Sequence, residues 1–151
     1  MENKEQVSFG LRKITTEQFA IIENNYDKTN PSVQLKNSLS FSLNLEKRYI
    51  KVLLSAEFHQ ENGPFLLIEI GCSFEIDIEN WNLFYNIELN EVKLPKALAT
   101  NFVVLTMGTL RGVLHAKVEN TAFNMFLLPT INVTQLVKED VSINMNSLDK
   151  N

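Results

Sequence analysis

The sequence predicts an α+β fold: a four-stranded antiparallel sheet in Greek-key-like order, one long C-terminal helix packed on one face, and a short second helix. Two patterns predict it. Three segments between Val33 and Ile78 alternate apolar and polar residues, the period-two signature of half-buried antiparallel strands. Beyond them, Pro95 to Lys117 is apolar around most of a helix, with Arg111 its only fixed charge between Lys96 and Lys117. A surface helix shows one apolar stripe and a polar back; this one asks for cover on a second face.

The first expected strand is short and weak: Val7, Phe9 and Leu11 alternate, and the phase breaks before Ile14, at a bulge or the strand end. From Thr15 to Ser32 no element is evident. A connection of that length is read as a crossover over the sheet, with Asn24, Asn25, Asp27, Asn30 and Pro31 supplying turn chemistry. The next strand carries Val33, Leu35, Leu39, Phe41, Leu43 and Leu45 on one face, the following one Ile50, Val52, Leu54, Ala56 and Phe58. The last long strand carries Leu66, Ile68, Ile70, Cys72, Phe74, Ile76 and Ile78. Opposed residues of an antiparallel pair share a face. Parity therefore predicts an even loop between the first two, Lys47-Arg48 or Glu46 to Tyr49, with Leu45 facing Ile50. It predicts an odd loop, Glu61-Asn62-Gly63, between the last two, with Gly63 at a left-handed bulge position. Pro64 suits a strand start. A helix from Pro95 to Lys117, roughly 34 Å long, covers most of strands of roughly 43 Å. Asn132 with Gln135 reads as a capping pair for the short helix, through about Lys138. The chain reads as a single domain over 1–151, frayed at 1–6 and about 142–151.

Composition narrows the function classes. Net charge is −4 with no basic block, which argues against nucleic acid. With one cysteine, Cys72, the chain cannot form an internal disulfide, and Met1 to Gln6 lacks a secretory apolar region; both favour a reducing, cytoplasmic setting. Asn132-Val133-Thr134 matches a glycosylation acceptor that such a setting leaves unused. Thr100, Asn101, Thr106, Thr109, Arg111 and His115 interrupt the helix too often for a membrane span. Gly108 and Gly112 are read as allowing close packing against a sheet or helix.

Enzyme chemistry finds little support. His59 and His115 have no carboxylate or cysteine at metal-ligand spacing, no phosphate loop is present, and Cys72 fits the core. No cofactor and no metal are expected. Glu69, Glu75 and Asp77 share the polar face of the last long strand, as solvated residues two apart do. Phe65 and Leu67 on that face suggest a small exposed patch or a subunit contact. Trp81, Leu83, Phe84, Tyr85 and Ile87, and the run from Phe123 to Val133, read either as core or as exposed binding surface.

Element order and two motifs bring a family into view. Arg111 in the helix, followed by Leu128-Pro129-Thr130-Ile131-Asn132-Val133-Thr134-Gln135-Leu136, resembles the helix arginine and closing Leu-Pro segment of the SecB-like protein-export chaperones. Phe9 through Ile14 resembles their first strand, and Phe65 through Ile76 their last. The resemblance spans most of residues 7 to 137. It implies an ATP-independent holdase for unfolded or precursor polypeptides, assembled as a dimer of dimers with its long helices between two sheets. Carried over, the client-binding surface is Trp81, Phe84, Tyr85, Phe123, Phe126, Leu127, Ile131 and Val133. The helix face given to neighbouring subunits is Phe102, Leu105, Gly108, Arg111 and Gly112. Glu17, Glu69, Glu75 and Asp77 would dock a SecA-like motor. The chain departs from the family in three places. The acidic residue expected just after the first strand falls near Gln18, with Glu17 beside it. Gly108-Thr109 replaces the usual Pro-Tyr, and Lys138 to Asn151 has no metal-binding Cys or His. A holdase serving another route, such as a toxin–antitoxin system, is one alternative. A small-molecule or lipid carrier built as a helix on a sheet is another, and a purely structural oligomer a third.

Overall fold

The computed structural model describes residues 6–144. A four-stranded antiparallel sheet contains β1 (Phe9–Ile21), β2 (Gln34–Asn44), β3 (Tyr49–Gln60) and β4 (Gly63–Ile76), in the order β1-β4-β3-β2. The crossover from β1 to β2 thus makes the expected Greek key. It is shorter than predicted, because β1 runs on to Ile21. The register explains why the sequence hides this. Against β4, β1 has irregularities between Leu11 and Lys13 and between Thr16 and Gln18. Each inserts one residue, Arg12 and Glu17, and each flips the phase. The inward residues are therefore Phe9 and Leu11, then Ile14 and Thr16, then Phe19 and Ile21.

The other strands keep the phases read from their alternation. The β2–β3 loop is even, but Leu43 rather than Leu45 faces Ile50. Asn44 closes that loop by accepting from the Lys47 N–H, and Arg48 takes positive φ. In the β3–β4 hairpin Gln60 pairs with Gly63, leaving a two-residue loop. Gly63 has the expected positive φ, 114°. The bulge falls instead at Phe65, between the pairs His59–Pro64 and Phe58–Leu66. Phe65 is consequently buried, not part of an exposed patch.

The long helix is α2, Lys96–Val118. It packs on β3 and β4 through Leu98, Ala99, Phe102, Val103, Met107, Leu110, Leu114 and Val118. At the centre Phe102 stacks on Phe74 at 4.2 Å, and Phe9 meets it edge-on. Thr100, Thr106 and Thr109 donate their hydroxyls to carbonyls one turn back, so three polar residues sit in an apolar helix without stray donors. Burial against the helix raises the Cys72 thiol above its ordinary range. By length and composition α2 could cross a membrane; in this fold its inner stripe lies on the sheet.

A helix and a second sheet were not expected. A short helix, α1 (Ile78–Phe84), follows β4, its N-terminus capped by Asp77. A second sheet, order β5-β6-β7, joins β5 (Tyr85–Asn86), β6 (Glu91–Leu94) and β7 (Val141–Asn144). Residues 142–144, expected to fray, are thus strand; 1–5 and 145–151 lie outside the described residues. The helix expected after Asn132 is a single 3-10 turn, Val133–Gln135; the Asn132 side chain accepts from the Thr134 N–H and its backbone carbonyl from the Gln135 N–H.

Candidate functional site

Where α2 ends, Thr121 donates to the Val118 carbonyl and accepts from the Phe123 N–H, turning the chain back along the sheet. The loop that follows is held at its far end by Arg111. Its Nε donates to the Leu128 carbonyl at 3.0 Å and an Nη to that of Pro129 at 3.1 Å. The helix arginine and the Leu-Pro segment therefore form one device: a planar fork gripping two successive backbone acceptors. The arginine makes both of these bonds within its own chain.

Between those anchors the loop has two sides. Phe123 is 4% exposed and Phe126 partly buried. They complete an aromatic cluster with Tyr26 of the crossover, Phe58 and the bulged Phe65, ring centroids 4.8–6.4 Å apart. Met125 and Leu127 point the other way and are 60% and 57% exposed. The Met125 sulfur accepts a long bond from the Tyr26 hydroxyl at 4.0 Å. An open groove of about 490 Å³ lies between the crossover and the loop, lined by Tyr26, Asp27, Ala122, Phe123 and Met125 among others.

The client-surface expectation is corrected residue by residue. Phe123, Val133 and Trp81 are buried; Phe84, Tyr85, Phe126 and Ile131 are half-buried and pack on the core. Only Leu127 is freely exposed. Apolar residues three to four apart at a helix or turn bury one another, and an isolated loop run carries no period from which to sort inside from outside. The exposed side chains near Trp81 are aliphatic instead: Leu83, Ile87 and Leu89. Leu83 and Ile87 line a second open groove of about 550 Å³ with Phe84 and Tyr85.

The carboxylates assigned to motor docking lie on the outer sheet face or its end, and three of the four are engaged. Glu17, a bulge residue, binds Lys51 Nζ at 2.8 Å, and its hydrogen bonds to Lys51 and Thr15 hold its carboxyl below the ordinary range. Lys51 reaches it by lying over Gly71, where a Cβ would stand 2.5 Å from Lys51 Cε. Glu75 meets Arg12 at 2.8 Å and Arg48 at 3.5 Å. Asp77 accepts from the backbone of Asn80 and Ser8, which lowers its pKa. Glu69 faces Ser55 and Gln18 across the sheet. This face is internally charge-paired.

No family model matches the chain, and no curated protein matches it. Of the expected helix interface, Phe102 is wholly buried against the sheet. Leu105, Gly108 and Gly112 do face outward, with Val104 beside them, and nothing lies within 4 Å of a Cβ built on either glycine. On the adjoining flank Leu11 and Ile14 of edge strand β1 are exposed although they point to the inner face. Among the described residues no group of His, Cys, Asp or Glu is arranged to hold a metal.

Proposed function

We infer that the protein is a non-enzymatic, ATP-independent holdase of the SecB-like kind, acting on unfolded or precursor polypeptides in the cytoplasm. One observation carries this reading. The loop after α2 presents Met125 and Leu127 to solvent beside an apolar groove while its own aromatic side chains and the Arg111 fork hold it in place. Anchored, exposed and pliable apolar side chains bind many sequences weakly. The packed interior supports the same reading over a carrier: Phe74 and Phe102 fill the space between helix and sheet where a ligand would sit.

The outer stripe of α2, together with Leu11 and Ile14, supports assembly of several copies, since a contiguous apolar strip of this kind is the usual mark of a subunit contact. A dimer of dimers is the arrangement proposed. The test is aggregation of a chemically unfolded client at equimolar protein. The unmodified chain should slow it. Met125→Asp with Leu127→Asp should weaken holding several-fold at an unchanged melting temperature. Holding that survives both substitutions removes the groove from the proposal, and failure of the unmodified chain removes the holdase reading.

A further inference from the structure

Strand β7 occupies an unusual place. It adds to the free edge of β6 in four antiparallel pairs, Glu91–Asn144, Val92–Ile143, Lys93–Ser142 and Leu94–Val141, and its other flank lies near β2. Ile143 is buried and Val141 half-buried, while Ser142 and Asn144 face solvent. The walls of this slot are also held from outside β7. β6 leads directly through Pro95 into α2, and its Val92 and Leu94 are wholly buried. The segment before β7 is fixed by buried Val133 and Val137. Between Val137 and β7 runs an exposed link, Lys138 to Asp140. A fourth contact sits at the mouth. Pro95 gives α2 no side-chain cap, and Asp140 supplies one from a distance, accepting from the Lys96 N–H at 2.8 Å. A carboxylate there meets the unpaired donors and positive end of the helix.

We propose that β7 is a resident strand that exchanges with extended segments of other polypeptides, so that its slot is a strand-addition site. The occupant is a segment of an unfolded chain with aliphatic side chains two residues apart and an acidic residue just ahead of the first. Backbone pairing to β6 gives affinity without regard to sequence, the two inward side chains give selectivity, and the acid reads the α2 N-terminus. The nature of the occupant rests on the holdase reading; the slot itself does not. Because the resident strand competes at an effective concentration of about millimolar, binding in trans is weak until β7 leaves.

The test uses the full chain and a fluorescent peptide of residues 139–144. Lys93 and Ser142 are exposed and directly opposed, a separation that a disulfide spans, while Cys72 is buried and will not compete. The chain carrying Lys93→Cys and Ser142→Cys should exclude the peptide when oxidised and admit it when reduced. Ile143→Asp should loosen β7 and raise peptide affinity about tenfold; the same peptide with Asp140→Asn should bind more weakly. Equal binding to the oxidised and reduced forms overturns the proposal. Should Ile143→Asp disturb the fold, the oxidised–reduced comparison, which buries no new charge, decides alone. Client holding separates the two ideas. If the lock leaves peptide binding unchanged while clients are still held, the slot falls and the holdase stands. If the lock excludes the peptide while neither form holds a client, the holdase falls and the slot stands.

Discussion

The inner and outer stripes of α2 are similar in apolarity and opposite in fate. Inside stand Phe102, Met107, Leu110 and Leu114, deep side chains that reach into the sheet. Outside stand Val104 and Leu105, 50% and 46% exposed, then Gly108 and Gly112, which give a flat surface. Hydropathy does not separate the two; side-chain depth does. A large residue fills the space over a twisted sheet, whereas a strip of small ones matches another backbone at close range. The helix thus has one face packed on its own core and one that the chain itself leaves open.

Substitutions along α2 can break or sharpen that contrast. Phe102→Ala removes the ring stacked on Phe74 and should cost about 3–5 kcal/mol of unfolding free energy, read by denaturant titration; a loss under ~1 kcal/mol would mean that the inner stripe is not the core. Arg111→Ala leaves two backbone acceptors without their donors and should cost about 1–3 kcal/mol, with amide exchange rising first at Leu128 and Thr130, the amides flanking Pro129. Gly71→Ala pushes a methyl group into Lys51 on the far face of the sheet and should cost about 1–3 kcal/mol. Replacing Lys51 with Met in that background should relieve part of the loss.

Acid should act through Glu17. Its carboxyl is held below the ordinary carboxylate range in the folded chain by its hydrogen bonds to Lys51 and Thr15. Its contribution is therefore present above the unfolded pKa and lost as pH falls through the lower folded one. Glu17→Gln should lower the melting temperature at neutral pH and flatten the acid limb below about pH 4.5, so that the two profiles converge in acid; identical profiles would mean the Lys51 pair is neutral to stability. The smallest effect on folding belongs to the outer stripe. Val104→Ser with Leu105→Ser should change monomer stability by less than about 0.5 kcal/mol per site while shifting sedimentation toward smaller species. A large loss of stability without a change in mass would erase the distinction between the two stripes.

The same contrast explains how much could be read from residues alone. β2, β3 and β4 were legible because one face of each meets the core without interruption, so period two survives. β1 was legible only to Leu11, since bulges at Arg12 and Glu17 each invert the phase. Phe65 was misplaced for the same reason. The second sheet was invisible because strands of two to four residues are too short to show alternation. At the candidate site, the Arg111–Leu-Pro device was visible as a motif, but its geometry was not. The loop's aromatic residues were misread because an apolar run outside regular structure does not say which side chains face in. Tyr26, which completes the cluster, comes from a crossover with no pattern of its own.

The cap that Asp140 places on α2 also bears on the order in which the chain can be finished. Forty-four positions separate that carboxylate from the amide it accepts. A ribosome makes the sheet and then the helix before the helix receives its N-terminal acceptor, and β6 waits as long for β7. During synthesis the nascent protein therefore passes through a state with its main sheet complete and its second sheet open along one edge. Any factor that recognises an unfinished strand edge would meet the nascent protein in that state.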